Sequence, residues 1–344
     1  MNWLKRFSSQ REFMIFMIVV GVFVAMSFAS PYFLNTANLL ALLLGLSIKV
    51  IIAVAMTNLM VAGGFDMSVG SVLAFAGAVT ATLLKSGAPI TVAILAGLLI
   101  GAAIGLINGF LVARVDINPF VTTLSAMSLY RGLTLIFTKG QNISGLPAGF
   151  KMIGQAKLGG IQTPIIIAAV IVIVSDILLR RSRFFRQNYY IGGNEKAARL
   201  SGIPVDRMKI LNFVFTGLFA AFAGVVMTAR LGAASVTAGT GLELQVITAV
   251  IIGGASLQGG EGSVLGAFLG TLLIGLITNA LTLLGVDVYW QTFVIGATLL
   301  IAVLIDRIGR MQKEGVPIME TFFPKLVRRF NTRNSIKETA DELV

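Results

Sequence analysis

The chain predicts an all-α polytopic membrane protein of about ten transmembrane helices, and three observations carry that prediction. Of its 344 residues, 56% are hydrophobic and only 12% charged. Mean hydropathy is +0.90. Apolar runs of membrane length recur along the chain, and a bilayer core of about 30 Å needs roughly 20 such residues per helix. They lie at 13–30, 37–61, 68–84, 89–113, 118–137, 163–179, 209–230, 243–257, 262–281 and 288–306. This gives a cytoplasmic N-terminal segment 1–12, a membrane domain 13–306 with a polar loop at 180–208, and a cytoplasmic basic tail 307–344.

The first run follows Lys5, Arg6 and Arg11 and ends in SFAS, an acceptable signal-cleavage end. It is read as a retained anchor, because the chain behind it is itself a membrane protein. In the second run Lys49 interrupts an otherwise apolar stretch. Either the membrane part begins near it, with 37–48 along the interface, or the lysine faces a cavity.

Before the third run stands GGFDMSVGS, with Gly63 and Gly64 as a turn and Asp66 and Ser68 at the helix entrance. A carboxylate there can accept from the first free N–H groups of the helix, and that capping role outweighs contact with a solute. The fourth run repeats Gly97, Gly101, Gly105 and Gly109 down one face and carries Asn108; the ninth has Gly262, Gly266 and Gly270. Small residues at that spacing let helix backbones approach closely inside a membrane, here within one chain.

The fifth run has a polar side of Asn118, Thr122, Thr123, Ser125 and Ser128. Together with Asn108 and, in the ninth run, Asn279, these uncharged groups suit transient hydrogen bonding along a pathway, or equally helix–helix adhesion. Arg131 lies deep in the same run. A central charge costs on the order of 2.5–3.5 kcal/mol on insertion scales, so it needs a partner, for which Glu243 at the outer start of the eighth run is the candidate.

The loop 180–208 holds GGNEKAARLSGIPVDR. Asn194 is a good N-cap, Glu195 pairs with Arg199 at i+4, Lys196 and Leu200 lie on the same short element, and Gly202-Ile203-Pro204 stops it. Two turns are marginal alone in water, so this helix needs a surface. Its apolar side, Ala197, Ala198 and Leu200, is small for a membrane interface and suits a protein groove better; an ordinary solvated loop is the alternative.

Charge fixes the orientation. With the N-terminus inside, Lys85, Lys139, Lys151 and Lys157 fall outside, Lys49, Arg131 and Arg230 lie within or at the ends of runs, and the rest of the 27 basic residues are cytoplasmic. Both termini are therefore expected inside. The net charge of +12 then reflects positive-inside topology and a tail near anionic lipid, not a nucleic-acid surface. The chain has no Cys and no His, which removes disulfides, thiolate chemistry and imidazole acid–base work, and leaves no expected metal site. It has no G-x-x-x-x-G-K-[ST] loop, so any ATP and Mg would be handled elsewhere.

The segments GGFDMSVGSVLAFAGA, NPFVTTLSAMSLYRGL, GGNEKAARLSGI, AGTGLELQVITAVIIGGASLQGGEGS and NALTLLGVDVYWQ occur in that order. Together they resemble the ribose/xylose/arabinose-type permease subunits of bacterial ABC importers, from about Asn35 to Asp306. The resemblance implies a type II ABC importer-like permease in the inner membrane, forming the pathway for a monosaccharide or similar small polyhydroxylated solute. It implies separate ATPase subunits, a second identical or homologous permease, and a periplasmic substrate-binding protein, with no cofactor in this chain. It makes Asn194, Glu195, Lys196, Arg199, Leu200 and Gly202 a coupling helix that docks on the ATPase. The family more often has Ser before the two glycines where this chain has Ala62, which weakens a solute-contact role there, and usually a neutral residue at Lys49. The alternative, an ion-driven secondary transporter, needs intramembrane carboxylates, whereas Asp66, Asp116, Asp176, Glu243, Asp287 and Asp306 all fall near the ends of runs.

Overall fold

The computed structural model describes residues 11–313. The start of the N-terminal segment and most of the basic tail, including Pro317, Pro324 and KLVRRFNTR, lie outside them. The chain divides into two compact units, Met1–Leu299 and Leu300–Val344.

In the first unit the helices are α1 (Arg11–Ala29), α2 (Thr36–Val61), α3 (Val69–Lys85), α4 (Ile90–Ala113), α5 (Pro119–Thr138), α6 (Ala148–Gln155), α7 (Thr163–Arg181), α8 (Arg183–Gly193), α9 (Glu195–Leu200), α10 (Val205–Leu231), α11 (Leu242–Ile252) and α12 (Val264–Leu283). Helix α13 (Val288–Lys313) begins in this unit and ends in the second, whose described residues are its last turns. Two short antiparallel pairs complete the chain: β1 (Ile143–Ser144) with the sequence-distant β4 (Ala233–Ala234), and the hairpin β2 (Lys157–Leu158) with β3 (Ile161–Gln162).

Local chemistry sets the helix ends. Asn35, Asn118 and Asn194 each accept from a backbone N–H in the first turn of α2, α5 and α9, at 2.9, 2.8 and 3.0 Å. Ser263 caps α12 through Gly266 N–H at 3.0 Å. Gly232, at φ 68°, closes α10 in the left-handed conformation that only glycine adopts freely.

Every apolar run becomes a helix, but the helices are not equivalent. Eight are long and apolar enough to cross a membrane among the described residues, whereas Val69–Lys85 and Leu242–Ile252 are shorter. At 11 residues, α11 rises only about 16 Å, half a bilayer core. The run 243–257 is thus not a full span. Likewise α2 is one continuous helix from Thr36, so 37–48 is not a separate interfacial segment.

Helix α10 lies in the middle of the bundle. Built as a side chain, Gly101 would strike Ala221 and Gly217 of α10, and Gly105 would strike the Phe213 carbonyl, so α4 and α10 touch backbone to backbone. The glycine face of α4 is intramolecular packing, as expected. The matching face of the ninth run is shorter: Gly262 precedes α12, and Gly266 and Gly270 pack on Gly253 and Ala249. Helix α1 joins the bundle through Ile15, Val19 and Met26, which share a buried cluster with Leu269, Leu273 and Leu276 of α12.

Candidate functional site

Two loops that leave opposite sides of an alternating bundle meet inside it. Residues 62–68 follow α2, residues 232–241 follow α10, and a side chain on Gly239 would run into the backbone of Gly70 at the start of α3. Glu243, in the first turn of α11, sits against the same glycine. The N-terminal turns of α3 and α11 therefore share one buried region, where their exposed N–H dipoles favour a carboxylate.

Asp66 is 1% exposed and Ser68 wholly buried. Asp66 Oδ1 accepts from the Ser68 N–H at 2.7 Å and the Ser68 hydroxyl at 2.6 Å, and Asn108 donates to Ser68 Oγ at 3.1 Å. The expectation that Asp66 caps α3 needs correction. Ser68 is the N-cap residue, and Asp66 ties the turn in front of it instead of reaching N–H groups inside the helix. Asp66 and Glu243 do lie at helix ends, as expected, and both ends are buried inside the bundle.

Arg131 has different direct partners from the one expected. Its guanidinium donates to the carbonyls of Val236 and Ala238, both at 2.9 Å, and feels Glu243 only through space. Arg131 thus clamps the incoming loop. The polar residues expected along a pathway divide among several places. Asn118 is engaged as the cap of α5, Thr123 bonds back to the Pro119 carbonyl at 2.8 Å, Thr122 is buried, and Ser125 is exposed. Asn279 exchanges hydrogen bonds of 3.3 and 2.8 Å with Asn38 on α2. Beside that pair, Lys49 faces a cavity with Thr278 and Thr282, which resolves its two readings in favour of the second.

The loop 180–208 is better ordered than a connecting segment. Its first half is α8, an element that the sequence reading left inside the loop; Asn188 and Ile191, one turn apart and buried, are the signal that marks it. Helix α9 follows at once. Its Ala198 enters a buried cluster with Ile191, Val205 and Met208. One face of α9 thus rests on its own chain, a surface that the sequence reading did not weigh. Ion pairs fix it there, Glu195 to Arg199 at 2.9 Å and to Lys209 at 2.6 Å, and Arg199 to Asp206 at 2.5 Å. Partial burial pushes the Glu195 carboxyl up, but the hydrogen bonds and charges of Lys209 and Arg199 outweigh it and hold it below the usual glutamate value. Leu200, 91% exposed, and Lys196 face outward, and Gly202 at φ 80° makes the stop.

Just before α9, four glycine backbones converge. A side chain on Gly192 would collide with the Val61 carbonyl and with Gly260, and one on Gly259 with Gly192 and Gly63. Gly260 N–H donates to that same Val61 carbonyl at 2.8 Å. Gly63 itself takes φ 84°, the turn expected of it, while Gly64 packs on Leu59. The end of α8 is thereby seated on the end of α2 and on the loop leading to α12.

Comparison with known proteins agrees with this architecture. The model of the family described as "Branched-chain amino acid transport system / permease component" matches residues 38–303. The ribose import permease protein of Bacillus subtilis (strain 168) is 43% identical over 295 residues, 85% of this chain and 90% of that protein. The D-allose transport system permease protein of Escherichia coli (strain K12) is 37% identical over 297 residues, covering 86% and 90%. The L-arabinose ABC transporter permease protein of Azospirillum brasilense is 37% identical over 304 residues, covering 88% and 90%. The chain therefore belongs to this family of ABC permeases, as a multi-pass transport subunit and not an enzyme.

Proposed function

We propose that the chain is the membrane-spanning subunit of an ATP-driven importer for a monosaccharide or similar small polyhydroxylated solute. It sits in the bacterial inner membrane with both termini cytoplasmic and works with separate ATPase subunits, a second permease copy or homologue, and a periplasmic substrate-binding protein. ATP and Mg belong to the partner. The observation that carries the reading is α9: a two-turn helix locked to its own chain by ion pairs, yet turning Leu200 and Lys196 outward. Such a rigidly seated knob suits transmission of force, since motion of a docked ATPase passes through α8 and α10 to the bundle. In this reading Asn194, Glu195, Arg199 and Gly202 hold the knob, Leu200 and Lys196 present it, and Arg131 and Glu243 hold the loop that enters the bundle.

Affinity purification of the tagged chain from its native membrane, with mass spectrometry of what stays bound, tests the proposal. Recovery of an ABC ATPase and a sugar-type binding protein is expected. A chain that comes out alone and still transports in vesicles without ATP overturns it.

A further inference from the structure

Lys49 stands 13 residues into a 26-residue helix, so its backbone is some 20 Å of helix rise from either end of α2. Its side chain borders a cavity of about 230 Å³ between α2 and α12, whose other walls include Gly45, Gly275, Thr278, Asn279 and Thr282. Among the described residues, Lys49 has neither an ion pair nor a hydrogen bond. An ammonium at that depth needs a counter-charge.

Three sources can supply one, and the structure removes two. Lipid headgroups lie at the ends of α2, beyond the reach of a four-carbon stem from its middle. A second copy of this chain has no suitable carboxylate among the described residues. Asp66 and Glu243 are sealed in their own bundle at 1% and 8% exposure, Glu12, Glu195 and Asp206 are held in ion pairs, and Asp116, Asp176, Glu261, Asp287 and Asp306 lie in loops or in the outer turns of helices, not at mid-helix depth. What remains is an anion that enters the cavity from solution. The rest of the lining shows its chemistry: the Thr278 and Thr282 hydroxyls donate within the polypeptide, to the Ile274 and Thr278 carbonyls, Thr282 Oγ1 also accepts from the Gln291 amide at 3.2 Å, and each oxygen keeps a lone pair for a hydroxylated solute, beside an amide pair.

We propose that this cavity binds the carboxylate of a sugar acid, with Lys49 as the residue that selects the charge and Thr278 and Thr282 meeting the hydroxyl groups. The inference rests on the importer reading above and narrows its cargo from neutral sugars to carboxylated polyols. Under the positive-inside orientation, Thr282 lies at the outer end of α12, so the cavity is approached from the side on which solute arrives.

The test uses the purified full-length chain in lipid nanodiscs and an amine-acylating reagent, with modification at each lysine quantified by mass spectrometry. D-gluconate is expected to slow acylation of Lys49 at least threefold relative to D-ribose at equal concentration, without slowing Lys85 or Lys139. Radiolabelled D-gluconate is expected to bind the wild type and Lys49→Arg, and to bind Lys49→Leu at least tenfold more weakly. Equal protection by D-ribose, protection by sodium chloride alone at matched ionic strength, or absence of protection by D-gluconate each overturns the proposal. Gluconate binding in a preparation that recovers no ATPase leaves the site standing and removes the importer reading; ATPase recovery without gluconate protection does the reverse.

Discussion

Asn188 and Asn212 hold each other through two amide hydrogen bonds of 3.2 and 2.9 Å, both side chains almost wholly buried. They join α8 to α10, the helices on either side of α9, so the short helix sits between two elements that cannot drift apart independently. Replacing Asn212 with Leu leaves the Asn188 amide buried without partners, at a cost on the order of 1–3 kcal/mol. We expect Asn212→Leu to lower the unfolding temperature of the detergent-solubilised chain, and Asn188→Leu/Asn212→Leu to recover part of the loss. Equal destabilisation by the single and double variants would show that the pair is not the cause.

Glu195 holds both Lys209 and Arg199. Glu195→Lys turns both attractions into repulsions, while exposed pairs of this kind are worth about 0–1 kcal/mol each. The fold should survive, but α9 should lose its seat. The expected outcome is a near-unchanged melting temperature with reduced ATPase co-purification and uptake. Exchange of the pair, Glu195→Lys with Lys209→Glu, should restore part of both, and failure to restore either argues against the ion pair as the seat.

The same carboxyl gives a pH dependence. Its value in the folded chain is depressed, so its contribution to anchoring α9 is complete above the ordinary glutamate pKa and is lost as pH falls through the depressed folded value. Hydrogen exchange of residues 195–203 should therefore be unchanged across neutral pH, after correction for intrinsic rates, and accelerate only in acid. Acceleration near pH 7 would contradict the assignment.

Two adjacent glycines offer a controlled comparison. A methyl on Gly192 meets the Val61 carbonyl and Gly260 backbone, neither of which has a rotamer to give way, whereas one on Gly193 meets nothing within 4 Å. Overpacking of that sort costs typically 1–3 kcal/mol. Gly192→Ala is expected to lower thermal stability and yield of folded protein, and Gly193→Ala to leave both unchanged.

Arg131 satisfies two carbonyls of the loop that enters the bundle. Arg131→Met should leave them unpaired and loosen residues 232–241, read as faster amide exchange there than in α4. Unchanged exchange in that loop would mean that the β1–β4 pairing and Gly70–Gly239 contact suffice to hold it.

Much of the bundle was legible in the sequence because each membrane helix satisfies its own backbone, so composition and length alone identify it. The Asn194 cap, the Glu195–Arg199 pair and the Gly202 stop were legible for the same reason: all their partners lie within a few residues. Arg131 was legible as a problem but not in its solution, since its partners are carbonyls more than a hundred residues away, and any residue type supplies a carbonyl. Helix α8 was missed because its charged residues masked the buried positions Asn188 and Ile191.

By itself, then, the sequence determined that this chain is a glycine-rich multi-helix membrane protein with a capped two-turn helix in a cytoplasmic-type loop and two costly intramembrane cations. Only the tertiary structure decided that the N-terminal ends of α3 and α11 meet at Gly70 and Glu243, that Ala198 rests on the chain's own core, and that Lys49 opens onto a cavity. The division is physical. Local hydrogen bonds and hydrophobic length are written in neighbouring residues, whereas the counterpart of a buried charge or a bare glycine is set by whichever distant backbone the packing brings against it.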